Sequence, residues 1–301
     1  MRYFLSFFVL CLLSSFVCAQ YNGPTKLVLL GTGTPFADPD HQGQAIAIVV
    51  GNSSYIFDCG PGVVRQAAAA AKKFKLPALQ PENLRRLFIT HLHSDHTVGY
   101  PDILLTPAVI GRAGPLEVYG PPGTRQLNDH ILAAYGEDIH LRLDDLEHGN
   151  GKAYAAVVHE IREDGIVYSD SNVTVSAFHV PHGNWKDAYG YKIKTKDRTI
   201  VLSGDCTYSE TLIREAMNCD ILVHEVYSTT GYAQKDPQMK IYHAHYHTSS
   251  EQLAVIAGKA HPGLLILNHA LVWKATEADL LREMKEKYQG KMVLGHDLEM
   301  Y

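Results

Sequence analysis

Thr90-His91-Leu92-His93-Ser94-Asp95-His96 places three histidines and an aspartate in six residues, directly after the apolar run Leu87–Ile89. His91 and His93 are two positions apart, so an extended backbone sends both imidazoles to the same side. Asp95 and His96 follow where the chain turns into a helix, and they can face a second ion. Nitrogen and carboxylate donors in this spacing suit zinc, at ligand distances of ~2.0–2.2 Å. A packed H-x-H-x-D-H motif at the end of a buried strand is rarely a chance surface cluster.

One such motif cannot complete two metal sites, and the rest of the chain offers the missing donors. His182 follows the strand pattern Val173–Val180, Asp205 follows Thr199–Leu202 within Ser203-Gly204-Asp205, and His269 follows Leu264–Leu267. Each lies just past the end of an apolar strand, the edge where α/β sheets gather ligands. A carboxylate such as Asp205 can bridge two cations. His179 is a rival to His182, but its place inside the strand suits packing or a hydrogen bond. His224 also ends a strand and is read as a supporting or core histidine.

Working outward, Lys26–Leu30 reads as a first strand, 45–50 and 55–57 as a hairpin, and the stretch from Pro61 to Phe74 as a helix. Helices are expected over about 97–110, 124–135, 248–259 and 276–288. Residues 136–171 lack clear periodicity beyond a strand pair and read as an insertion, either a surface loop or a groove wall. Residues 232–246, with His243 and His245, read as a solvated loop. Strands precede a helix in each half, which predicts an α/β fold, a four-layer αββα sandwich.

The first residues stand apart. Met1-Arg2 gives a basic start, Tyr3–Leu13 is almost wholly apolar, and Val17-Cys18-Ala19 offers a cleavage pattern. Residues 1–19 are expected to be a signal peptide, and 20–301 a single hydrolase domain. Ser15-Phe16-Val17 makes a poor lipobox, so no stable membrane anchor is expected, and the address is secreted or periplasmic. Cleavage would leave Cys59, Cys206 and Cys219, too few for a disulfide framework, though one pair among them stays open. The net charge of −5 becomes −6 once Arg2 is lost. It lacks the basic footprint of a nucleic-acid binder, so no nucleic-acid partner is expected.

The sequence resembles the metallo-β-lactamase superfamily, in the branch of ribonuclease Z and arylsulfatase-like hydrolases, over nearly all of the chain beyond residue 19. Leu30-Gly31-Thr32-Gly33-Thr34-Pro35 resembles the opening strand and loop, Phe57-Asp58-Cys59-Gly60-Pro61-Gly62 the first motif, and His91–His96 the signature. The resemblance implies that His91, His93 and His182 hold one zinc, that Asp95, His96 and His269 hold the other, and that Asp205 bridges them. Manganese or iron could take the same places. It also implies a buried supporting role for Asp58 and places His247-Thr248 beside the scissile bond. Cys206 and Asn268 depart from the usual Thr and Thr or Tyr without removing a ligand. The family's habit suggests a homodimer.

These features lead to an expectation of a secreted dinuclear-zinc hydrolase of small anionic esters, phosphodiesters or aryl sulfates, acting through metal-activated hydroxide. Asp95 would orient the water. His247 precedes Thr248-Ser249-Ser250-Glu251, read as a capping box that opens a helix, so an anion bound there would favour His247 as a proton donor to the leaving group. The alternatives are a lactone or β-lactam hydrolase and a non-catalytic zinc-binding protein.

Overall fold

Apolar side chains on both faces of the central strands demand cover on both sides, and the computed structural model shows how it is supplied. It describes residues 24–145 and 149–301; the signal-peptide reading of 1–19 lies outside the described residues. One sheet is built from β1 (Lys26–Gly31), β2 (Ala45–Val50), β3 (Ser53–Phe57), β4 (Arg86–Phe88), β5 (Leu116–Gly120) and β6 (Ala156–Glu160). The other comprises β7 (Gly165–Ser169), β8 (Val173–His179), β9 (Tyr189–Thr195), β10 (Thr199–Leu202), β11 (Ile221–Tyr227), β12 (Leu264–Leu271) and β13 (Met292–Leu294). The short β14 (Glu299–Met300) returns to pair with β1, so the chain ends on the sheet where it began.

Three apolar layers follow from strand alternation. Leu27, Leu29, Ile46, Ile48 and Phe57 on the first sheet meet Val175, Tyr191, Ile193, Ile200 and Ile266 on the second. On the outer face of the first sheet, Val28, Ala47 and Ile56 meet Val64, Ala67 and Ala70 of α1 (Val63–Phe74), together with Ile103 and Leu104 of α3 (Tyr100–Val109). On the outer face of the second, Val201, Leu222 and Leu265 meet α6 (Glu210–Glu215), α9 (Ser250–Ala260) and α10 (Glu277–Lys287). This is the αββα sandwich expected from the sequence. Burying these side chains on both sides of each sheet is the main stabilising force.

Several expectations are corrected. In place of the helix expected over 97–110 stand a short α2 (Ser94–Thr97) and the separate α3, with Gly99 as the N-cap of α3 and Pro101 in its first turn. The 136–171 segment is not an irregular insertion. After α4 (Thr124–Ala134) it forms α5 (Gly136–Asp144) and then β6 and β7, edge strands of the two different sheets, so it carries the chain from one half to the other. Residues 232–246 are helical as well: α7 (Thr229–Ala233) and α8 (Pro237–Tyr246) are capped by the side chains of Ser228 and Asp236, and Pro237 opens α8. The capping box of α9 lies one residue later than expected, with Ser249 and Gln252 as its members. Among the described residues, no helix is long and apolar enough to cross a membrane.

Glu283 of α10 ties three helices together. Its carboxylate accepts from Ser228 Oγ at 2.8 Å, the Thr229 and Thr230 amides at 2.8 and 2.9 Å, and Ser250 Oγ at 2.6 Å. Burial by itself would raise its pKa, but these donors hold it at about 2. A depressed carboxylate stabilises the fold fully above the unfolded value of about 4.3, and this is lost as pH falls toward 2. Glu283→Gln is therefore expected to melt several degrees below the parent at pH 7, with the gap closing near pH 2. A constant gap in thermal melts across that range would contradict the assignment.

Candidate metal centre

The candidate ligands gather along one rim of the sandwich, where strands from both sheets end. His91, His93, Asp95 and His96 follow β4, His182 lies beyond β8, and Asp205 lies beyond β10. His269 is the exception to the end-of-strand pattern, because β12 continues past it to Leu271. A register shift at Glu225/Val226 of β11 faces it, and its own backbone is left-handed with φ 47°. That bulge turns the side chain to the rim.

The structure brings all seven together in two groups. His91, His93, His182 and Asp205 form one, and Asp95, His96 and His269 the other, with donor atoms inside each group within 4.8 Å of one another. In the first, His93 Nδ1 lies 2.9 Å from His91 Nε2 and 3.1 Å from His182 Nε2. In the second, Asp95 Oδ2 lies 3.6 Å from both His96 Nε2 and His269 Nε2. Asp205, a member of the first group, also reaches the second: Oδ1 is 3.4 Å from His96 Nε2, and Oδ2 is 3.4 Å from His269 Nε2.

These separations fit a divalent ion. Ligands about 2.1 Å from a tetrahedral ion stand roughly 3.4 Å apart. Asp95 Oδ2, His96 Nε2 and His269 Nε2 are buried without a hydrogen-bond partner, a costly state that a bound cation relieves. The outer nitrogens fix which inner nitrogen carries a lone pair. His96 Nδ1 donates to Asp58 Oδ2 at 2.8 Å, His182 Nδ1 to the Tyr246 carbonyl at 2.7 Å, and His269 Nδ1 to the Gly33 carbonyl at 2.8 Å. His91 Nδ1 faces Thr90 Oγ1 at 3.0 Å, and that hydroxyl itself donates to Asp58. His93 differs: the Trp185 indole N–H donates to its Nε2 at 2.8 Å. Ligation through His93 Nδ1 would place the ring proton on Nε2, and the indole N–H could then no longer donate there.

Electrostatics point the same way. Burial opposes charge on His269, but the Asp205 carboxylate overrides it and raises His269 to about 9. His96 is likewise raised against burial, by Asp205 and Asp58. His91 is pushed down, first by burial and then by His96. The centre therefore favours positive charge near Asp205 while keeping neutral imidazoles on the His91 side.

The remaining candidates separate clearly. His179 is half exposed and bonds Asp164 at 2.6 Å, away from the centre. His224 is buried and donates from Nδ1 to the Glu225 carbonyl at 2.6 Å, so it is a satisfied core histidine. His247 is buried, with Nδ1 3.8 Å from Asp205 Oδ2 and 3.5 Å from Glu225 Oε1. Burial holds it at about 4 despite the opposing pull of Asp205. Among the described residues, Cys59, Cys206 and Cys219 are buried and free. Trp185, the Tyr246 carbonyl and Asp297 escaped the sequence reading. Asp297 accepts from Thr32 and Gln42 amides and so anchors the loop beside His269. None carries a local motif.

Residues 54–270 match the family model described as the β-lactamase superfamily domain. Proteins named ribonuclease Z from Mycobacterium sp. (strain KMS) and Mycobacterium marinum are 32% and 31% identical, each across 91% of this chain, with 94% and 96% of their own lengths covered. Among solved structures, the metallo-β-lactamase fold protein YhfI of Bacillus subtilis superposes with TM-score 0.70 at 18% identity, covering 93% of this chain and 99% of that one. The short form of human tRNase Z superposes with TM-score 0.67 at 23% identity, covering 92% and 98%.

The relatives correct the expected substrate. They are named for acting on RNA, which overturns both the small anionic ester and the exclusion of nucleic acid. The lactone, β-lactam and non-catalytic alternatives fall with them. The physical error lay in reading a whole-chain charge as a local one. Net charge sums the entire surface, whereas a phosphate at this rim would respond to a cation held by the donor groups. An address inferred from residues 1–19 likewise says nothing about which bond the centre hydrolyses.

Proposed function

Since the chain belongs to the metallo-β-lactamase superfamily, in its ribonuclease Z branch, we propose that it is a metal-dependent ribonuclease hydrolysing a phosphodiester of transfer RNA. The observation that carries this is the paired donor cluster sharing Asp205, in a chain alignable over nine-tenths of its length with ribonuclease Z relatives.

In this reading His91, His93, His182 and Asp205 would hold one divalent ion and Asp95, His96 and His269, with Asp205 beside them, would hold another, zinc by ligand type. Such ions lower the pKa of water and neutralise charge on phosphoryl oxygens. The protein's own groups do the rest. Asp95 orients the attacking water and accepts its proton. Asp58 fixes the rings of His91 and His96 through Thr90 and directly. His247 stands beside Asp205 as a neutral imidazole; an anionic phosphodiester drawn next to it raises its proton affinity, so that it takes up a proton from solvent and, as imidazolium, passes it to the departing oxygen. Glu225 bonds the Thr248 amide at 2.9 Å and the Cys206 amide at 3.3 Å, which holds the His247 backbone in place.

The test is incubation of zinc-loaded protein with a precursor transfer RNA carrying a 3′ trailer, beside an unstructured RNA of equal length. Trailer release that chelation stops is the expected result. A precursor left intact by excess metal-loaded protein would refute the proposal.

A further inference from the structure

Beside His269 the rim opens into a cavity of about 530 Å³ that the hydrolytic mechanism leaves unused. Its walls include Thr34, Phe36, Lys235, Leu271 and Trp273, and His269 itself forms part of the floor. The Lys235 ammonium lies 4.4 Å from the Trp273 ring centroid and 5.7 Å from that of Phe36. Phe36 is 61% exposed, which leaves its ring open to a ligand.

Trp273 is held in position at some cost. Its φ of 51° is left-handed, a conformation that side-chain-bearing residues rarely adopt. The His243 ring packs against the indole at 4.4 Å and Tyr227 at 5.8 Å. Gly231 of α7 makes room for this turn, since a Cβ there would come within 2.2 Å of the Val272 carbonyl oxygen.

We propose that this cavity is a base subsite, receiving the nucleobase of the nucleotide next to the scissile phosphate, with Phe36 and Trp273 as stacking surfaces and Lys235 as donor to the base edge. The proposal rests on the ribonuclease reading and adds to it the part of the substrate recognised. Aromatic faces accept any base, because every base offers a π surface. Asp38 and Glu277 also line the cavity. Their charge repels a phosphate, so the base enters here and the phosphate stays at the metal centre. The size suits a base with its ribose.

Calorimetric titration of the metal-loaded full chain with AMP, UMP and ribose 5-phosphate separates base from phosphate binding. Both nucleotides are expected to bind about tenfold more tightly than ribose 5-phosphate, the scale of one stacked base. Phe36→Ala and Lys235→Met should each erase most of that difference. Phe36 is too exposed for its loss to threaten folding, and an unchanged melting temperature checks this. Equal binding of ribose 5-phosphate, or a preference that survives in Phe36→Ala, would overturn the subsite. Cleavage of the precursor without base preference rejects the subsite alone. Base preference with the precursor intact supports the subsite and rejects the proposed reaction.

Discussion

Asp205→Asn is expected to lower precursor cleavage on the order of 10³-fold and to reduce bound metal, because one carboxylate serves both donor groups. Its carboxylate lies within 4.8 Å of the His91, His93 and His182 donors, and its two oxygens stand 3.4 Å from His96 and His269 of the other group. An amide keeps the shape but offers only one oxygen, and its NH₂ presents donor hydrogens to the other side. The negative charge that draws cations to the centre is lost as well. The Asp205 carboxylate is also what raises His269 to about 9 against burial, so this variant should bring that imidazole back down. Metal analysis and single-turnover cleavage measure the two effects together. Full metal content with turnover within tenfold of the parent would show that Asp205 is not shared.

Asp58→Ala is expected to cost about 4 kcal/mol of stability, a drop of about 10 °C in melting temperature. Asp58 is buried, and it accepts from the Thr90 amide at 2.8 Å, the Thr90 hydroxyl at 2.9 Å and His96 Nδ1 at 2.8 Å. Removing the carboxylate leaves all three donors buried without an acceptor. Its φ of 60° adds strain once alanine replaces a residue type that tolerates the left-handed region. The rings of His91 and His96 lose their common anchor, so metal affinity should fall roughly 10- to 100-fold. Asp58→Asn keeps the backbone preference and one oxygen, and should fall between alanine and the parent. A melting curve for Asp58→Ala that overlays the parent's would remove Asp58 from its supporting role.

The layer order was legible from the sequence because strand alternation and helix periodicity are local properties of the chain. The candidate donors were legible for the same reason: an imidazole after an apolar strand is a one-dimensional pattern. Residues 136–171 and 232–246 were misread because their elements lack strong periodicity. Edge strands β6 and β7 bury little of one face, and α8 exposes Ile241 and Tyr242. Their caps and strand partners hold them, not an apolar stripe.

By itself the sequence determined the sandwich, the candidate donor residues and the resemblance that those residues carry. The tertiary structure alone decided that Asp205 faces both donor groups, that His269 reaches the rim through a bulge, that Trp185 guards His93, and that Phe36, Lys235 and Trp273 meet beside the centre. The reason is physical. Periodicity and motif spacing are set by backbone geometry over a few residues. Which distant side chains share a cavity depends on how β11, β12 and the loop after β1 are stacked, and that is fixed only when the two sheets bury their faces against each other.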